Sequence, residues 1–422
     1  MELRTFRKPT QRILDDCGSR FRFHHNVMKT TTLTATLQPS LTIQGHAGGI
    51  WSLVSRPDDR VISGGADGML RLWKLAEGDG HAAQLTEVSR VSSPHSDVVV
   101  LHNTRSGKLL STGPSGGFAV WNVDPHSGTF RLNQKLASPR ATEDDGHRIL
   151  ETAGGKLVTW GPVGQEPLLW DWLAAADAYA SAGSLPDSQI VALAEAPGGR
   201  LVSGRTDGRI VIWEMSPNKN LYIPAQGWVA HDGPVRALCL GENGLILSAG
   251  TDLAIKIWQI GDQGRYQLQQ TLPGHTSPIT GLVQTRPGEF ISSDPGKQFH
   301  TARWRTKPEF RIWHKESGGF EPVLRNTGLI CRYLPHSLIV DTLDDSIGVW
   351  SRRKGTYECV ADLARGHEGP VVGAEALSRG RLITAGPDGC LALWDIGALL
   401  KDAATDHTYR SQFLETGTRH CL

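Results

Sequence analysis

Eight times along this chain a tryptophan closes a short apolar segment: Trp73, Trp121, Trp170, Trp213, Trp258, Trp313, Trp350 and Trp394. The mean spacing is about 46 residues, a period at which each repeat can build one small sheet of about four strands. The segments leading into these tryptophans read GMLRLW, GGFAVW, EPLLW, GRIVIW, LAIKIW, EFRIW, SIGVW and CLALW. They alternate or are continuously apolar, as buried strands do, and several follow an Asp-Gly turn. A chain of 422 residues would ordinarily divide into two or three domains, because one core stops growing well below that length. A repeat array avoids the limit by renewing its core at every unit.

Composition supports an all-β reading. The 48 glycines cluster between the apolar segments, as expected where tight turns separate many short strands. Hydrophobic residues make up 39%, charged residues 21%, and the formal net charge is +1, so no bulk attraction to nucleic acid or acidic membranes is implied. Cys17, Cys239, Cys331, Cys359, Cys390 and Cys421 form no CxxC pair and no regular framework. They read as reduced thiols of a cytoplasmic protein. The first thirty residues carry scattered arginines without an apolar run, unlike a signal sequence, and no stretch is long and apolar enough to span a bilayer.

Three segments carry a family resemblance: GHAGGIWSLVSRPDDRVISGGADGMLRLWKL from Gly45 to Leu75, AHDGPVRALCLGENGLILSAGTDLAIKIWQI from Ala230 to Ile260, and GHEGPVVGAEALSRGRLITAGPDGCLALWDI from Gly366 to Ile396. Each resembles a unit of the WD-repeat family. The resemblance covers about residues 31–397 and implies a β-propeller of four-stranded blades, eight by the number of tryptophans, with seven as the alternative. It also implies that each complete unit joins an entrance His, a Ser or Thr, a turn Asp and the Trp in a hydrogen-bonded structural tetrad. The sets are His46, Ser63, Asp67 and Trp73; His231, Ser248, Asp252 and Trp258; and His367, Thr384, Asp388 and Trp394. A buried indole N–H needs an acceptor, and a hydroxyl, an imidazole and a carboxylate in series satisfy one another.

The remaining units depart from this pattern. The second has His95, Ser111 and Trp121, with Ser115 where Asp is expected, and the third keeps His147 and Trp170 with no clear Asp. The fourth has Ser203, Asp207 and Trp213 but Pro186 near the His position. The sixth has His275, Ser292 and Trp313 with an insertion in its second turn; the seventh retains Asp344 and Trp350. Residues 1–30 read as a polar tail, 31–43 as a strand that closes the ring, and 398–422 as a C-terminal tail or an additional edge strand. The segment from His407 to Glu415 competes with the N-terminal strand for closure, and closure by the N-terminus is preferred because it runs directly into the first unit.

Other motifs are weaker. Gly113-Pro-Ser115-Gly-Gly117 matches the GxSxG of hydrolases, but a strand follows instead of the required helix, so a turn is preferred. Gly78 to Ala83 imitates a dinucleotide loop without a βαβ unit and is read as a loop. Asp171 to Ser188 is alanine-rich where an outer strand belongs and reads as a helical turn or a loose edge. No metal site and no cofactor are expected. The insertion from Ser293 to Pro308 holds Lys297, His300, Arg303, Trp304, Arg305 and Lys307; it reads as a solvated loop, with a binding loop as the alternative.

The function expected is a non-enzymatic scaffold that holds proteins or peptides on one face of the disc. The resemblance places partner contacts five residues after the entrance His, at Trp51, Arg236, Val372 and Thr280, and one residue before the turn Asp, at Ala66, Thr251 and Pro387. Arg303, Trp304 and Arg305 complete the candidate set. An enzyme with a hydrolase or metal site at the channel mouth is the alternative, and nucleic-acid binding through residues 293–308 a weaker one.

Overall fold

A computed structural model describes residues 36–401, apart from 78–82, 99, 115–116, 137–147, 162, 217–220, 299–303, 307, 328, 335–337, 344–345, 354–355 and 365. These residues form eight antiparallel sheets arranged as propeller blades. Blade 1 comprises Ile50–Arg56, Arg60–Gly65, Met69–Glu77 and Ala83–Ser92, and each later blade repeats this meander. Blades 2 to 5 span 100–136, 148–184, 190–229 and 235–272; blades 6 and 7 span 281–327 and 329–363.

Blade 8 takes three strands from 373–395 and its outer strand, Leu41–Gln44, from the other end of the chain. Just before it, Thr36–Leu37 adds in parallel to the outer strand of blade 7, Thr356–Leu363. The N-terminal segment therefore pairs with two blades, and blade 7 becomes five-stranded. This arrangement covers sheet edges that would otherwise be open at the seam. Residues 402–422, including the competing strand from His407 to Glu415, lie outside the described residues, as does the proposed tail at 1–30.

The core is divided in the same way. Among the described residues there are eight apolar clusters, each lying between two neighbouring blades. Leu53, Val61 and Trp73 of blade 1 pack against Ile383, Leu391 and Leu393 of blade 8, which closes the ring. Both faces of a blade are thus buried, which explains why the third strands read as continuous apolar runs. Gly373 shows how tightly the blades approach, since a Cβ there would come within 3.0 Å of Leu53 Cβ.

Asp171 to Ser188 differs from the helical turn or loose edge expected for it. The third strand of blade 3 ends at Leu173, and Ala178–Ser184 is an outer strand paired with Leu168–Leu173, with one register shift between Leu169 and Trp170. Alanine's helical preference is weak against a ladder already offered by the neighbouring strand. The insertion in blade 6 is a two-stranded hairpin, Lys297–Gln298 against Trp304–Thr306.

Candidate functional site

The tetrads form the rigid layer beneath one face of the disc, here called the top, where the loops entering each blade meet the turns between second and third strands. In blade 1 the Trp73 indole N–H donates to Ser63 Oγ (2.8 Å), Ser63 Oγ lies 2.7 Å from His46 Nε2, and His46 Nδ1 lies 2.8 Å from Asp67 Oδ1. Because the hydroxyl oxygen accepts from the indole, its own hydrogen serves Nε2, and Nδ1 carries the proton toward the carboxylate. Blade 5 repeats the chain through Trp258, Ser248, His231 and Asp252 at 2.7–2.9 Å. Blade 8 does so through Trp394, Thr384, His367 and Asp388. Burial is the main force lowering the pKa of His46, His231 and His367, although each faces a carboxylate. The imidazoles are therefore held neutral.

Blade 6 holds a fourth complete tetrad that the sequence reading missed. His275 Nδ1 lies 2.6 Å from Asp294 Oδ2, its Nε2 lies 2.7 Å from Ser292 Oγ, and Trp313 donates to the same oxygen at 2.8 Å. The acid stands two residues after the hydroxyl, whereas Asp67, Asp252 and Asp388 stand four residues after theirs. The hairpin insertion displaces the usual turn, so the fixed spacing no longer finds it.

Other blades keep only the indole bond. Trp121 donates to Ser111 Oγ (2.9 Å), Trp170 to Thr159 Oγ1 (3.0 Å) and Trp213 to Ser203 Oγ (2.9 Å). In blade 2, His95 turns Nε2 to the Ser111 carbonyl instead (3.2 Å). Ser115, His147 and Asp344 lie outside the described residues. In blade 7 a carboxylate takes the hydroxyl's place: Trp350 donates to Asp341 Oδ1 at 2.9 Å. Burial raises the Asp341 pKa to about 7.

Blade 4 shows why histidine and glycine go together. Two residues before the turn Asp, blades 1, 5 and 8 have Gly65, Gly250 and Gly386, and a Cβ at Gly65 would come within 2.4 Å of His46 Nδ1. Blade 4 has no entrance His, and Arg205 occupies the equivalent position. Its guanidinium donates to Asp187 Oδ2 (2.7 Å), Gln189 Oε1 (3.0 Å) and Asp207 Oδ1 (3.2 Å).

Above this layer, Trp51 and Arg236 both sit where the first strand slips register against the second, between Ile50 and Ser52 and between Val235 and Ala237. Such bulges re-aim a side chain out of the sheet. Trp51 is half-buried and Arg236 exposed. Trp51 is brought beside Pro387 of blade 8, since a Cβ at Gly49 would meet Trp51 Cζ2 and the Pro387 carbonyl oxygen at 3.1 Å each. Ala66, Thr251, Thr280 and Val372 are half-buried on the same rim. Trp51 and Arg236 are not brought together, because blades 1 and 5 lie on opposite sides of an eight-membered ring. Arg303 falls outside the described residues, as do the side chains of Trp304 and Arg305.

Comparisons with known proteins agree with this geometry. The family model described as "WD domain, G-beta repeat" matches residues 37–74 and 224–259. The C-terminal WD40 domain of Sif2 superimposes with a TM-score of 0.64 at 15% identity, covering 86% of this chain and 99% of that one. The chain is a WD-repeat β-propeller. Mouse striatin is 24% identical over 55% of the propeller chain and 30% of its own length. The ribosome biogenesis protein ytm1 of Aspergillus oryzae is 30% identical over 32% of this chain and 29% of its own. The propeller chain thus matches less than a third of each of these relatives.

Among the described residues no group of three or more His, Cys, Asp or Glu is placed to hold a metal ion, and no helix is long and apolar enough to cross a membrane.

Proposed function

We propose that this propeller is a cytoplasmic, non-enzymatic interaction scaffold that holds peptides or loops of other proteins on its top face. The observation that carries this reading is the pair of bulges that turn Trp51 and Arg236 out of the sheets above complete tetrads. Aromatic and arginine side chains are the residues most able to anchor an interface, because they combine large area with directed polar contacts. The tetrads beneath them keep the anchors in fixed positions, which lowers the ordering cost of binding. The separation of Trp51 from Arg236 favours two contact sectors rather than one pocket. Likeness to a protein named for ribosome biogenesis, an assembly process, supports the same reading.

The test is capture of native partners by the tagged full chain, followed by mass spectrometry, beside Trp51→Ala and Arg236→Ala. Each substitution is expected to weaken capture of a specific partner by about 1 kcal/mol or more while leaving the melting temperature nearly unchanged. Undiminished capture by a folded double variant would move the binding surface elsewhere.

A further inference from the structure

The side of blade 4 that faces blade 3 lacks long side chains where other blades carry them. Two places before the repeat tryptophan, blades 1, 5 and 6 have Arg71, Lys256 and Arg311, which reach up to the Asp67 carboxylate and to the Ala230 and Gly274 carbonyls. Blade 4 has Val211 there, and the outer-strand residue opposite it is Gly227. Above them, Pro186 stands at the position of the entrance His. Third strand, outer strand and entrance loop are therefore all short at one place.

What remains is a cavity of about 390 Å³, within the range of small-ligand pockets. The loop from Pro186 to Gln189 and Arg205 form its rim at the top face, and Val211, Trp213 and Pro224 line it further down the blade. The side-chain acceptors of the rim are engaged. Asp187 Oδ1 accepts from the Gln189 backbone N–H (3.0 Å) and Oδ2 from Arg205 (2.7 Å), while Gln189 Oε1 accepts from Arg205 as well (3.0 Å). The donors are in excess. Arg205 makes its third bond to Asp207, which leaves two of the five guanidinium N–H hydrogens unspent. The Ser188 hydroxyl and the Gln189 amide N–H groups have no partner among the described residues.

We propose that this cavity receives an uncharged apolar side chain from an extended segment of a partner protein, whose peptide carbonyls accept hydrogen bonds from the rim. The inference rests on reading the top face as a docking surface and gives one sector of it a chemical class. A cation finds no open carboxylate in the wall, because Asp187 is buried and already paired with Arg205. A carboxylate would approach a guanidinium that two acids, Asp187 and Asp207, already share, so like charge opposes it. A neutral peptide carbonyl meets the unspent donors without adding charge. An aliphatic side chain between Val211, Trp213 and Pro224 carries no polar group that burial would leave unpaired.

The experiment titrates the full chain with Nα-acetyl-leucine N-methylamide and with its alanine, lysine and glutamate analogues, following the indole N–H resonance of Trp213. The leucine probe should shift it saturably. The alanine probe should bind about tenfold or more weakly, and the lysine and glutamate probes no better than alanine. A Cβ at Gly227 lies 3.5 Å from Val211 Cγ2, an ordinary contact, so Gly227→Val should fold with the parent's circular dichroism and abolish saturation by leucine. Ser188→Ala, which leaves the Arg205–Asp187 pair alone, should weaken the leucine probe about threefold. No saturation by leucine, equal binding of alanine or of a charged probe, or undiminished leucine binding by folded Gly227→Val or by Ser188→Ala would each overturn the proposal. So would a shift of the resonance with protein concentration alone that Gly227→Val removes, because a second copy of the chain would then fill the cavity. Partner capture through Trp51 and Arg236 is read separately, so a negative titration leaves the scaffold reading standing.

Discussion

Asp341 offers a quantitative test of the layer beneath the top face. Its carboxyl takes the place that a serine or threonine holds in the other seven blades, accepting from Trp350 Nε1 at 2.9 Å and from Asn326 Nδ2 at 3.3 Å. Burial is the chief cause that raises its pKa from 3.8 to about 7. The unfolded chain ionises this group above about pH 4, while the folded chain keeps it protonated until about pH 7. Its contribution to stability is therefore fully present below pH 4 and is lost as pH rises through 7. The rise from 3.8 to about 7 sets an upper bound of about 4 kcal/mol.

Asp341→Asn keeps the shape and cannot ionise. Urea midpoints followed by tryptophan fluorescence between pH 4 and 8 should show the variant gaining on the parent protein as pH rises. The tetrad histidines act in the opposite sense. Their lowered pKa values mean stability that is fully present above about pH 6.5 and is lost as pH falls below it through their lower folded values, but they are common to both proteins and cancel in the difference. Parallel pH profiles for variant and parent would refute a protonated, buried Asp341.

Asp294→Ala should lower stability by about 1 to 3 kcal/mol because it strips a buried acceptor from His275; Asp262→Ala, in an exposed turn, should leave the denaturation midpoint unchanged. Gly65→Ala should cost about 1 to 3 kcal/mol by forcing a methyl against His46, and Arg205→Gly should also lower the melting temperature, because it leaves the buried Asp187 carboxylate without its guanidinium. Deletion of residues 1–27 should give a folded chain by circular dichroism, whereas deletion through Ile43 removes most of the outer strand of blade 8 and should not. A longer deletion that folds equally well would show that the ring closes without the Leu41–Gln44 pairing.

Trp51 and Arg236 were candidates through the family resemblance, which points to the position five residues after the entrance histidine of a complete unit. That the two share a register slip, and that they face opposite sectors, needed the strand pairings and the count of blades. Asp294 was not legible because the acid stands four residues beyond the hydroxyl in the regular units, whereas beside the hairpin insertion it stands at two. The Ser292-Ser293-Asp294 sequence at the start of the insertion was the available signal. Asp341 escaped because a carboxylate was not sought at a hydroxyl position, although it lies nine residues before Trp350 and the hydroxyls mostly lie ten before theirs. Pro186 was visible as a missing histidine, but its consequence was not.

The sequence by itself determined the repeat and the number of tryptophan-ending strands, because these depend on local spacing and strand periodicity, and its resemblance to the WD-repeat family supplied three of the four complete tetrads. Only the tertiary structure decided which blades the N-terminal segment joins and how a missing histidine is answered by Arg205. Those outcomes depend on residues far apart in the chain meeting across a seam. There, the volume of one side chain sets the room left for another.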